Sequence, residues 1–97
     1  MQSSLVDQIR GQLEPLFKIV LDELAEGGDS LAFAFFAERM GELNAAQGEE
    51  DVINMFINLS QAAFLGFEYT EQSWAKVDDL LAQAESVSHA MTAQAPQ

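Results

Sequence analysis

Cysteine is absent from the chain. That excludes disulfide staples, thiolate metal sites and thiol nucleophiles, and a chain without staples suits a reducing cytoplasm, the location expected here. Bases are nearly as scarce: Arg10, Lys18, Arg39 and Lys76 stand against sixteen Asp and Glu, for a net charge of −12. Nucleic acids and anionic lipids are held by Lys and Arg that neutralise phosphate, and so few, dispersed bases do not make such a surface. Direct nucleic-acid binding is not expected. The excess acid reads first as a source of solubility and alternatively as an attraction for a basic protein partner.

Charge itself is missing from one stretch, the sixteen residues Val52 to Phe67 (VINMFINLSQAAFLGF). It is shorter than the roughly 20 apolar residues needed to cross a bilayer, and Asn54, Asn58, Ser60 and Gln61 interrupt it, so no membrane span is expected. A secretory signal is not expected either, because MQSSLVDQIRGQ lacks a basic segment followed by an apolar one. Alternating β-branched residues are missing throughout, which argues against strands. The chain does have 97 residues, 48% of them hydrophobic, with seven Phe. Such a chain builds one modest core and one domain, residues 1–97, ordered over about 4–92 with a frayed tail at 93–97.

The apolar residues recur with helical periodicity. Leu5, Val6, Ile9, Leu13, Leu16, Phe17, Val20, Leu21 and Leu24 follow i, i+3, i+4, i+7 spacing from a cap at Ser3 or Ser4 to a stop at Gly27-Gly28. Pro15 falls inside this pattern, and the apolar face keeps its phase across it. The spacing therefore predicts one helix kinked at Pro15, with two shorter helices as the alternative. A second helix is predicted from a cap at Asp29 or Ser30 over Leu31 to about Ala46, ended by Gly48. Its main face is Phe33, Phe36, Ala37, Met40 and Leu43, which leaves Phe35 and Leu31 on a second side. The uncharged run, opened by Glu49-Glu50-Asp51, predicts a third helix with one stripe of Val52, Phe56, Leu59, Ala63 and Phe67. Ile53, Ile57 and Phe64 form an adjacent stripe, and Asn54, Asn58 and Gln61 a narrow amide strip. An apolar arc this wide marks a helix central to its bundle or placed at a subunit interface. Exposed amides favour a self-sufficient bundle; amides paired between chains favour a dimer. Thr70 is predicted to cap a fourth helix over Glu71 to about Ala93, with Val77, Leu80, Ala84, Val87 and Met91 as a short seam widened by Trp74 and Leu81.

The expected fold is all-α: a small bundle of four amphipathic helices, mostly antiparallel, with irregular orthogonal packing as the alternative. Signals for chemistry are weak. His89 is the single histidine, and with Glu85 it offers only an i, i+4 pair, not the Glu-x-x-His spacing of di-metal carboxylate bundles. No calcium loop, phosphate-cradling glycine motif or nucleophile signature is visible. Catalytic residues, cofactors and metals are therefore not expected. The reading is a non-catalytic interaction module that self-associates as a homodimer, its candidate interface residues being Phe35, Leu31, Ile53, Ile57, Phe64, Trp74 and Leu81. An acidic inhibitor, chaperone or nucleic-acid mimic docking on a basic protein is the first alternative. A carrier of a small apolar ligand in a Phe-lined core is the second.

Overall fold

The computed structural model describes residues 4–27 and 29–94. Four α-helices follow one another: α1 (Ser4–Gly27), α2 (Ser30–Ala45), α3 (Glu49–Ser60) and α4 (Glu71–Gln94). A single 3-10 turn, Gln61–Phe64, continues α3, and no strand occurs among the described residues. Each helix packs on its neighbours in sequence, and α4 closes the ring onto α1. The body measures 42 × 23 × 17 Å, its length set by the two 24-residue helices α1 and α4.

Helix α1 is uninterrupted through Pro15. One unbroken stripe explains why it holds: Val6, Ile9, Leu13, Phe17, Val20 and Leu24 are all buried. Pro15 itself is exposed, where a lost backbone hydrogen bond is least costly. Of the two expected caps, Ser3 lies outside the described residues and Ser4 is already helical. Gly28, one of the two stop glycines, also lies outside them, as do residues 95–97 of the expected tail.

The core face of α2 is rotated from the one the sequence suggests. Ala32, Phe36 and Leu43 are buried, whereas Phe33 is 37% exposed. Ala32, the smallest of these, has no exposed surface against the neighbouring helices, so a larger residue is not needed there. Asp29 caps the helix, its carboxylate accepting the Leu31 amide at 2.8 Å. At the other end α2 stops at Ala45, and Gly48 serves as the N-cap of α3 rather than as the stop of α2. Arg10 of α1 donates to the Ala46 carbonyl at 2.8 Å, placing a cation on the carbonyl end of α2, where the helix dipole favours it.

Helix α3 is shorter than the uncharged run. It ends at Ser60, whose hydroxyl donates to the Ile57 carbonyl at 2.7 Å, and the chain tightens into the 3-10 turn. Gly66 then takes φ +70°, the only positive φ among the described residues, and turns the chain toward α4. Nor is α3 central. It lies at one corner of the ring, packed on α2 and more sparsely on α4. Helix α4 opens with a reciprocal cap: the Thr70 hydroxyl accepts the Ser73 amide at 3.0 Å, and the Ser73 hydroxyl accepts the Thr70 amide at 2.9 Å. This satisfies Ser73, the one buried polar residue among the described residues. Beyond it Val77, Leu80, Ala84, Val87 and Met91 form the expected seam.

The shifted face of α2 makes a direct prediction. Phe36→Ala, which empties a fully buried site, lowers stability by about 3–5 kcal/mol, while Phe33→Ala costs under about 1 kcal/mol. Urea denaturation of the two variants measures both; equal losses would restore the face drawn from sequence.

Candidate functional site

The seven candidate interface residues separate into two groups. Leu31, Ile53, Ile57, Phe64 and Trp74 are exposed at 70, 45, 55, 86 and 50%, respectively. Phe35 and Leu81 are half-buried and pack against the core. Phe35 has an internal role that its place on the helical wheel did not reveal. Its ring meets Phe36 edge-on at 5.2 Å and Phe67 at 5.5 Å. Phe67 continues to Tyr69, and Tyr69 to Trp74 at 5.5 Å. This aromatic chain runs from the core of α2 through the 65–70 loop to the start of α4. Aromatic pairs of this geometry add about 0.5–1.5 kcal/mol each beyond burial.

Phe35 also supports a polar cluster that sequence reasoning missed. The Arg39 guanidinium lies 4.9 Å from the Phe35 ring centre, and its side chain is only 11% exposed. Arg39 Nε sits 2.9 Å from Glu42 Oε1, while Glu42 Oε2 accepts the Asn58 amide at 3.0 Å. The Nε–Oε1 contact is close, but its geometry is not that of an aligned hydrogen bond, so attraction there is chiefly between charges. Asn58 thus ties α3 to α2 within one chain, and Asn54 and Gln61 are exposed. The amide strip is therefore satisfied without a second subunit. The i, i+3 spacing of Arg39 and Glu42 was visible in sequence; their link to Asn58 was not.

Turned away from α2, the other side of α3 carries Ile53 and Ile57. The uncharged surface continues through Phe64 and Leu65, both exposed, and Trp74 borders it from α4. Two open depressions follow the α3–α4 side of the ring. One, about 320 Å³, has Phe56, Leu59, Leu81 and Ala84 for its floor and Ser60, Glu85, Ser88 and His89 at its edge. The second, about 280 Å³, lies between the 3-10 turn and α4, lined by Ala62, Ala63, Phe67, Tyr69, Trp74 and Leu81. Leu81 is common to both.

For chemistry the arrangement is sparse. His89 and Glu85 stand 3.6 Å apart, both largely in solvent. No three His, Asp or Glu converge on a metal-sized point among the described residues. No helix among them is long and apolar enough to cross a membrane. Asp29 is the carboxylate most shaped by its surroundings. Amides of Leu31 and Glu68 donate to its two oxygens and hold its pKa below the ordinary 3.8. Burial, joined by the Asp29 charge, pushes the Tyr69 hydroxyl above its ordinary 10.0. Both groups fasten the 65–70 loop, and both line a shallow open depression of about 510 Å³ with Gly27, Glu68 and Thr70, where no base or nucleophile faces them.

These features define a small all-α bundle with an uncharged, partly apolar side. Comparison with known proteins finds no matching family model, no similar curated protein and no similar solved structure.

Asp29 generates a prediction with a defined sign. A carboxyl whose folded pKa is lowered contributes stability that is complete above its unfolded pKa and is lost as pH falls through the folded value. Acidification below about pH 4 should therefore loosen the 65–70 loop. Asp29→Asn should flatten that part of the acid transition, followed through Trp74 fluorescence. An unchanged acid transition in the variant would remove Asp29 from this role.

Proposed function

We propose that this chain is a non-catalytic protein-interaction module whose 3-10 turn, with the exposed edge of α3 at Ile53 and Ile57 and the start of α4 at Trp74, is covered by another polypeptide, in the first instance a second copy of itself. One observation carries the reading: Ile53, Ile57, Phe64 and Trp74 are exposed around a run of sixteen residues without a charge, in a chain of net charge −12. Scattered apolar residues are ordinary on a protein surface; here Ile53 and Ile57, one turn apart on α3, and Phe64 and Leu65, on and just after the turn that continues it, are exposed within one uncharged segment, and that concentration supports an interaction site. Around Phe64 and Leu65 two copies meet without setting carboxylate against carboxylate, so the repulsion between two such acidic chains is least there. The amide strip, exposed at Asn54 and Gln61 and paired within one chain at Asn58, favours a self-sufficient bundle and gives the dimer no support, so association rests on the exposed apolar residues alone.

Sedimentation equilibrium tests this. The expected result is a dimer whose dissociation constant lies in the range of about 1–100 μM, weakened about tenfold or more by Phe64→Gln. A monomer at several hundred micromolar would overturn self-association, and a dimer indifferent to Phe64→Gln would move the interface elsewhere.

A further inference from the structure

The acids on α4 are not evenly spread around it. Of its four acids, all exposed, Glu71, Asp78 and Glu85 recur every seven residues, and Asp79 stands off that line. Seven residues are about two helical turns, or about 10 Å, so the three carboxylates form a line along one edge of the helix. Beside that line runs a second one at the same spacing, Trp74, Leu81 and Ser88. Leu81, Glu85 and Ser88 all border the 320 Å³ depression between α3 and α4. Glu85 stands on the lip of that depression, an apolar trough, and Asp78 and Glu71 continue its line along the helix outside the lining itself.

The opposite wall adds no positive charge. Helix α3 and the 3-10 turn contain no Lys or Arg, and the first turn of α3 is Glu49-Glu50-Asp51. The bases are directed elsewhere. Arg10 is bound to Asp7 and Ala46, Arg39 to Glu42, and Lys18 to Glu14. Lys76 lies two residues from both Trp74 and Asp78, which on a helix places it on the far side of α4. The floor is apolar, the lip carries Glu85 with His89 3.6 Å from it and no Lys or Arg, and the α3–α4 packing is the sparsest contact between helices adjacent in the ring.

We propose that this trough is a docking groove for a basic amphipathic helix of a partner protein. Apolar side chains at i, i+3 or i+4 spacing seat on Phe56, Leu59, Leu81 and Ala84, and Lys or Arg at seven-residue spacing face Glu71, Asp78 and Glu85. Charge complementarity selects this occupant. A second copy would set acid against acid along the lip, and a fatty acid would bring its own carboxylate to Glu85. The groove adjoins the surface proposed for self-association at Trp74, but Phe64 lines neither depression, so the Phe64 variant and the charge reversals test the two separately.

The test uses a fluorescent amphipathic peptide of about 18 residues, Leu at i, i+3, i+4 and i+7 and Lys elsewhere, read by anisotropy against the full chain. A matched peptide with Glu in place of Lys is the control. Saturable binding of the Lys peptide alone is expected, weakening at least about fivefold between about 20 and 300 mM salt. Asp78→Lys with Glu85→Lys should weaken it about tenfold or more, whereas Asp22→Lys with Glu26→Lys, the same charge change on α1, should have little effect. Ser60→Trp, which fills the groove edge, should abolish binding, and Phe64→Gln should leave it intact. Equal losses from both charge-reversed pairs would reduce the effect to net charge and overturn the proposal. So would full binding to the Ser60→Trp chain, loss of binding in Phe64→Gln, or displacement of the peptide by a fatty acid at comparable concentration. Circular dichroism of each variant confirms that it is folded before its binding is scored.

Discussion

Burial of one continuous stripe on α1 is the constraint on which the rest of the structure depends. Val6, Ile9, Leu13, Phe17, Val20 and Leu24 are at most 3% exposed, and covering them takes the apolar faces of α2 and α4 together. Each fully buried side chain of this size contributes about 1.5–3 kcal/mol relative to exposure, so this set outweighs any polar contact in the molecule. With α2 and α4 committed to α1, α3 is left to pack against the remaining edge of the ring. It closes well onto α2, through Asn58 and Glu42, and loosely onto α4. The open trough and the exposed stripe of Ile53 and Ile57 both follow from that asymmetry.

Polar contacts then serve position rather than bulk stability. Arg10 fixes the end of α2 against α1, Asp29 holds the 65–70 loop to the start of α2, and Thr70 with Ser73 sets the start of α4. The aromatic chain from Phe36 to Trp74 runs through the same loop. Backbone, carboxylate and rings thus converge on the segment that orients α4 relative to α3. The width of the trough depends on that orientation.

Much of the fold was legible in the sequence because amphipathic periodicity reports burial directly. The stripes of α1 and α4 follow from it, and the Asp29 and Thr70 caps from residue type at the helix starts. The rest depended on packing that no helical wheel contains. On α2, Phe33 and Ala32 are adjacent in sequence, and only the close approach of neighbouring helices selects the alanine for the core. In the uncharged run, apolar content implied a long helix, central or at a subunit interface, yet the chain tightens after Ser60 and leaves Phe64 in solvent. Phe35 was legible as unusual but not as the platform for Arg39, since Arg39, Glu42 and Asn58 meet only after α2 and α3 dock. The exposed candidates Ile53, Ile57, Phe64, Leu31 and Trp74 were legible for a simple reason: they exceed what one core of this size can cover.

The central claim is that the α3 and α4 side is uncovered in the isolated chain and covered on association. Trp74 is the single tryptophan and lies on that side, half exposed. Its quenching by acrylamide, a neutral quencher that the acidic surface does not repel, reports the cover directly. The account predicts strong quenching in dilute protein and progressive protection as concentration rises through the association range. Weak quenching in dilute protein, or quenching that stays constant while sedimentation shows the mass doubling, would contradict it.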